Sequence, residues 1–349
     1  PLIFKQLYRV ILTHSKVRQL KLGRSTASRT ILVQSDLHVG DINSIRSDDC
    51  EIGELGAYLP LDKFGKQMFE FWKEVPDKLE KSKTDVFLLN GEPIQGQNIR
   101  SFGAGCWSTD LNDQRADAKK LLKYYRGKFS VALMTKGTGY HAKRNNTSDE
   151  EDVADWLNCI PYSAYHSDLI DRHNVMASDD YYEDEKGRTV NTKRTDFFIF
   201  FKINNTLVNA CHGVGFNRNW LYRTTAISKE MALLSGFAKG KFYDPTYDSY
   251  VWQRGHVHYY ALAGFLHSVG YTNLCMQFPG EYIFKSGMGG ADPAIGVSEI
   301  IIEPNNEVRI RPHALTGDKY PKPKVLDMNE ILAKVENDEK RSKTRRGRR

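Results

Sequence analysis

Three stretches in the first half of this chain share one design. Each is a short run of β-branched and large apolar residues that ends in glycine, an acid or histidine: TILVQSDLH (30–38), TDVFLLNGE (84–92) and FSVALMTKGTGYH (129–141). Runs of this length and composition read as buried strands that feed polar loops. Between them lie segments with helical spacing of apolar residues. FGKQMFEFWKEVPDKLEKS (64–82) is one, with Pro76 as the expected break, and STDLNDQRADAKKLLKYYRGK (108–128) is another, with Ser108 or Thr109 as the expected N-cap. SDEEDVADWLNCI (148–160) opens a further helix, its acid-rich first turn suited to the helix dipole. Strand alternating with helix defines an α/β sheet, and such sheets bind ligands at the loops beyond the carboxyl ends of their strands.

The second half changes character. TDFFIFFKINNTLVNACHG (195–213) reads as two strands about an Asn204–Asn205 turn, with FFIFFKI as a buried strand. DSYVWQRGHVH (248–258) and YTNLCMQF (271–278) read as strands, SEIIIEPNNEVRIRP (298–312) as a hairpin, and 219–239 as a helix. The expectation is a single α/β domain in which each half contributes a sheet.

Composition narrows the class. The chain has 349 residues, of which 40% are hydrophobic, and no apolar run approaches the roughly 20 residues of a membrane span. No signal-peptide apolar block is apparent in PLIFKQLYRVILTHSK, and Cys50, Cys106, Cys159, Cys211 and Cys275 are widely spaced with no CxxC. These features predict a cytoplasmic protein with reduced thiols. Residues 1–29 and the last ten each hold seven Lys or Arg and no acid. Removing those fourteen charges from the net +7 leaves the body at −7, so the basic character belongs to the ends. The tail KRSKTRRGRR suits either a solvated, partly disordered end or loose attachment to nucleic acid or another polyanion.

The strand ends carry the chemistry. They supply Asp36 and His38 in SDLHVGD, Glu92 in NGEPIQG, Thr138, Tyr140 and His141 in KGTGYH, His212 in NACHG, and His256 with His258 in RGHVH. Five of ten histidines thus fall beside glycines at ends of expected strands, where the backbone can turn sharply and approach a ligand. His256 and His258 reach one point if they continue a strand, or two adjacent points if the chain turns after Gly255. The P-loop pattern, the GxSxG elbow, and zinc-finger and RNA-recognition signatures are all absent from the sequence.

In order, DLH, NGE, GTGYH, CHG and GHVH resemble the blocks D-x-H, G-D, G-N-H, H and G-H-x-H of the calcineurin-like metallophosphoesterases, and the wording is most like the phage and prophage branch. The resemblance spans about 30–315, leaving a basic N-terminal extension (1–29) and a basic C-terminal tail (316–349) outside it. It implies a four-layer α/β/β/α sandwich of two mixed sheets flanked by helices. It implies two divalent cations (Mn, Fe, Zn or Ni) and hydrolysis of phosphomonoesters or phosphodiesters. One cation falls to Asp36, His38 and His258, the other to His212 and His256, with Glu92 bridging. His141 takes the role of acid toward the leaving oxygen, and Thr138 and Tyr140 lie behind the ligands or against substrate. Two residues depart from the pattern: Glu92 replaces an aspartate, and Thr138 replaces the asparagine that ligates the second cation. The longer acid must fold its side chain or push the cations outward, so Glu92→Asp is expected to be at least as active as the parent.

The leading function is a two-metal phosphoesterase, with a phage-type nuclease in the host cytoplasm as the specific expectation. A small-molecule or protein phosphatase is the alternative within the class. A non-catalytic binding module with an altered metal site is the alternative outside it.

Overall fold

The computed structural model describes residues 27–81, 83–97, 102–138, 148–161, 181–183, 189–191, 194–215, 219–237, 247–265, 267–279, 294–315 and 328. The chain divides into two compact units, Pro1–Leu315 and Thr316–Arg349, and in the second only Met328 is described. Of the expected extension (1–29), residues 1–26 lie outside the described residues and Arg29 already belongs to the first strand; the basic tail lies outside them apart from Met328.

In chain order the first unit contains β1 (Arg29–Ser35), β2 (Glu51–Ile52), β3 (Ala57–Tyr58), α1 (Lys63–Lys78), β4 (Thr84–Asn90), α2 (Leu111–Lys123), β5 (Phe129–Thr135) and α3 (Ser148–Trp156). There follow β6 (Tyr181–Glu183), β7 (Thr189–Asn191), β8 (Thr195–Asp196), β9 (Phe198–Ile203), β10 (Thr206–Cys211) and α4 (Thr225–Phe237). The unit ends with β11 (Ser249–Arg254), β12 (Ala261–Phe265), β13 (Ser268–Thr272), β14 (Gly296–Ile302) and β15 (Val308–Ala314).

These strands build two main mixed sheets. The six-stranded sheet has the order β15-β14-β1-β4-β5-β8, with β1, β4, β5 and β8 parallel and the β14–β15 hairpin antiparallel beside β1. The five-stranded sheet has the order β12-β13-β11-β10-β9, with a parallel centre of β10, β11 and β13 and antiparallel edges. Their inner faces pack on one another. Ile31, Val33, Leu88, Leu133 and Ile300 of the first sheet share one buried cluster with Ile199, Val208, Val251 and Tyr271 of the second.

The outer faces are covered by helices. On the six-stranded sheet Phe87 stacks against Tyr125, which meets Trp72 of α1 edge-on with ring centroids 4.3 Å apart. On the five-stranded sheet Ile227 and Met231 of α4 pack on Tyr250 and Trp252. Gly270 of β13 permits that approach, since a Cβ there would lie 2.4 Å from the Met231 sulfur. The fold is therefore the α/β/β/α sandwich.

Four local expectations are corrected. Pro76 does not end its helix: α1 runs to Lys78. A proline at 76 leaves the carbonyl of residue 72 without its helical donor, and the Tyr125 hydroxyl donates to the Trp72 carbonyl at 3.0 Å in its place. The N-cap of α2 is Asp110, whose carboxylate accepts from Asn112 N, whereas Ser108 donates to Asp113. FFIFFKI is not buried throughout: β9 is an edge strand, so Ile199 faces the core while Phe198 and Phe200 are exposed. YTNLCMQF is strand only at its start, where β13 ends at Thr272.

Candidate metal centre

Every candidate ligand stands just beyond the carboxyl end of a strand from the parallel centre of its sheet. β1 leads to Asp36 and His38, β4 to Glu92, β10 to His212, and β11 to His256 and His258. Backbone hydrogen bonds tie these turns together: His38 N donates to Glu92 O and Gly255 N to His212 O, both at 3.0 Å. β11 stops at Arg254, so the two histidines of RGHVH occupy a turn rather than one face of a strand.

That turn is one of several unusual backbones here. Asp36 (φ 53°), His38 (48°), Glu92 (52°), His256 (70°) and His258 (54°) all lie in the left-handed region. Residues with a Cβ rarely sit there, and each such position costs about 1–3 kcal/mol unless its surroundings enforce it. Among the described residues only four other non-glycines share the conformation, and three are asparagines, which tolerate it. Strain is therefore concentrated at the candidate ligands.

The side chains form two groups that share Glu92. Asp36, His38, Glu92 and His258 make one, and Glu92, His212 and His256 the other; within each group the candidate donor atoms lie within 4.8 Å of one another. Glu92 divides its oxygens between them. Oε2 lies 3.0 Å from His38 Nε2, and Oε1 lies 3.3 Å from His212 Nε2. Asp36 Oδ1 is 3.2 Å from His258 Nε2 and 3.6 Å from both His38 Nε2 and His212 Nε2. Asp36 Oδ2 is turned away, accepting from the Ser35 hydroxyl and from His256 N.

Hydrogen bonds from behind fix which imidazole nitrogen faces inward. His38 Nδ1 donates to Gln95 Oε1 at 2.9 Å and His212 Nδ1 to the Asn90 carbonyl at 2.8 Å. Both Nε2 atoms then face into the cluster, the arrangement that prepares histidine to ligate once its proton is lost. Asp36 Oδ1 and His212 Nε2 are buried and have ion-pair contacts but no hydrogen bond. Two buried carboxylates, four imidazoles and orphaned donor atoms aimed at common points fit divalent cations.

The charges agree with this crowding. Burial opposes a proton on His38, yet the Glu92 carboxylate and Asp36 outweigh it and raise its pKa to about 9. His212 is raised to about 10, burial again being overcome by Glu92 and Asp36. Burial would raise the Asp36 carboxyl, but His212, His258 and His38 hold it well below the usual range. His256, the exposed member of the six, is shifted down by desolvation of its ring, with His212 as a repelling neighbour. The side chains thus form a cluster of ion pairs, and a cation entering there would have to displace their protons.

Thr138 does not face the second group as a free donor. Its N–H, at 3.0 Å, and its hydroxyl both donate to Glu92 Oε1. Tyr140 and His141 lie outside the described residues. The sequence reading missed Glu150 of α3, whose buried carboxylate accepts from Gly137 N at 2.9 Å and from Glu92 N at 3.4 Å. Burial, with the Glu92 charge adding to it, pushes this carboxyl up to about 7. Glu150 is one of three acids in the helix's first turn, and the sequence gives no sign that it turns inward. Gln95, in a loop, and Ser35, the last residue of β1, were likewise silent in the sequence.

No protein-family model matches the sequence, and no curated protein matches it. Solved structures align to it at low identity. A phosphoesterase from E. coli, Yfce, is 10% identical over 82% of this chain and 100% of its own, with a TM-score of 0.35. Vps29 from Entamoeba histolytica, complexed with zinc, is 11% identical over 82% and 98%, with a TM-score of 0.32. A purple acid phosphatase from yellow lupin is 9% identical over 83% and 52%, with a TM-score of 0.37. The sheet topology and the donor geometry above stand independently of these alignments.

Proposed function

We propose that the chain is a metal-dependent phosphoesterase of the calcineurin-like class, built to hold two divalent cations that share Glu92. The observation that carries the reading is the division of that carboxylate: one oxygen faces His38, the other His212, at 3.0 and 3.3 Å. Asp36, His38 and His258 would complete one coordination sphere and His212 and His256 the other. Mixed nitrogen and oxygen donors suit Mn, Fe, Zn or Ni. When bound, such a pair acidifies a shared water and polarises a phosphoryl oxygen.

The protein's own groups do the rest. Gln95 and Asn90 hold two imidazoles in the ligating tautomer. Ser35 and the His256 N–H fix the carboxylate of Asp36 in its plane. Exposed His256 marks the side from which an ester would enter, and His141 is assigned as the acid that protonates the leaving oxygen. Within the class, a phosphodiester of nucleic acid is the substrate we favour. The basic termini, seven cationic residues in each of 1–29 and 340–349, would retain a polyanion beside an acidic body. A phage-type nuclease acting in a host cytoplasm fits that combination.

The test is hydrolysis of bis-nitrophenyl phosphate, nitrophenyl phosphate, and single- and double-stranded DNA in Mn, with and without chelator. Diester and DNA cleavage abolished by chelator and by Asp36→Asn supports the proposal. Cleavage of the monoester alone points to a phosphatase. A metal-loaded protein that cleaves none of them is a binding module.

A further inference from the structure

The residues that depart from the family pattern occupy one place. Glu92 and Thr138 are in direct contact, and Gly137 lies between them: a Cβ on Gly137 would sit 2.4 Å from Glu92 Cγ and 2.9 Å from Glu92 N. Gly137 has no positive φ, so glycine is needed there for space rather than for backbone conformation. The space it leaves is filled by the methylene that distinguishes glutamate from aspartate. Glu150 fixes both partners from beneath, accepting from Gly137 N and Glu92 N with the same oxygen. Thr138 then takes Glu92 Oε1 with two donors and holds it toward His212.

We propose that Gly137 and Thr138 are positioning residues for Glu92, so that this centre is constructed around a glutamate bridge rather than impaired by one. The proposal rests on the reading of the six residues as metal ligands. It assigns Thr138 a task other than ligation: its hydroxyl is spent on the bridging carboxylate. It also reverses the expectation for Glu92→Asp. An aspartate carboxylate falls about 1.5 Å short of the present position, beyond reach of Thr138, and leaves a void against Gly137.

The experiment is Mn titration of chelator-stripped full-length chain, followed by calorimetry and by the spin coupling that two adjacent Mn ions show in electron paramagnetic resonance. The parent should bind two ions and show coupling. Thr138→Val should leave the first affinity unchanged and weaken the second about tenfold or more, the usual scale for losing a group that holds a ligand. Thr138→Ser, which keeps the hydroxyl, should restore the second ion, and Glu92→Asp should weaken it. The metal-free melting temperatures of the Thr138 variants should match the parent's, which separates positioning from a folding defect. Parent-like binding in Thr138→Val or Glu92→Asp, or a Thr138→Ser variant as weak as Thr138→Val, overturns the proposal while leaving the ligand assignment intact. A parent that binds fewer than two ions overturns both.

Discussion

Gly255, between β11 and the two histidines of the RGHVH turn, offers a sharp perturbation. Its φ is not positive, so alanine there meets no backbone penalty, and any effect must come from the added methyl. That methyl would lie 2.3 Å from the Ser35 hydroxyl, 2.9 Å from His212 Nδ1 and 3.0 Å from Asp36 Oδ2. All three neighbours are buried, and two belong to candidate ligands. Ordinary contact begins near 3.4 Å, so Ser35 or the turn must move by about 1.1 Å. Overpacking of this kind costs about 1–3 kcal/mol of stability, which a domain of this size survives. The metal site is less forgiving, because ligand distances hold to about ±0.2 Å and a misplacement of about 1 Å lowers catalysis on the order of 100-fold. Gly255→Ala should therefore fold, melt a few degrees lower, and lose at least one cation and most of its turnover. Chemical denaturation with metal analysis of the same sample checks this. A variant with parental metal content and rate would show that Asp36 and His212 do not need their present positions.

Other predictions follow from the same geometry. His258→Ala should remove a cation from the Asp36 group and His256→Ala one from the His212 group, each read as one equivalent lost by elemental analysis; His141→Ala should keep both and slow turnover. Glu150 carries a folded pKa of about 7, above its ordinary 4.5. Its proton therefore stabilises the fold below pH 4.5, and that stability is lost as pH rises through 7. In metal-free protein Glu150→Gln should gain on the parent by up to about 3 kcal/mol between pH 5 and 8; parallel pH profiles from chemical denaturation would contradict the shift. Tyr125→Phe should cost about 1–3 kcal/mol in denaturant unfolding, because the buried Trp72 carbonyl above Pro76 loses its donor.

Much of the fold and the candidate site was legible because strand ends announce themselves. Asp36, Glu92 and His212 each close a run of apolar residues, and parallel strands bring such ends to one edge of a sheet. What stayed hidden depends on contacts between distant segments. Periodicity cannot show that Tyr125 supplies the donor that lets α1 pass Pro76. The run FFIFFKI looks buried on both faces, and only the strand order reveals an edge. β12, with its small residues and Gly264, lacks the β-branched signal of its neighbours. Glu150 looked like a helix-dipole acid because nothing in SDEE distinguishes the one carboxylate that turns toward Gly137. The contacts that Glu92 makes with Gly137 and Thr138 join segments some forty-five residues apart, so the residue type at 92 alone could not show what surrounds it.

The central claim is that Glu92 joins two cation sites. Anomalous diffraction from a Mn-soaked crystal of the full chain tests it most directly. The expected result is two Mn peaks about 3.5–4 Å apart, one beside Asp36, His38 and His258, the other beside His212 and His256, with one oxygen of Glu92 on each. A single peak, or two peaks with Glu92 bound to neither or to only one, would contradict the claim.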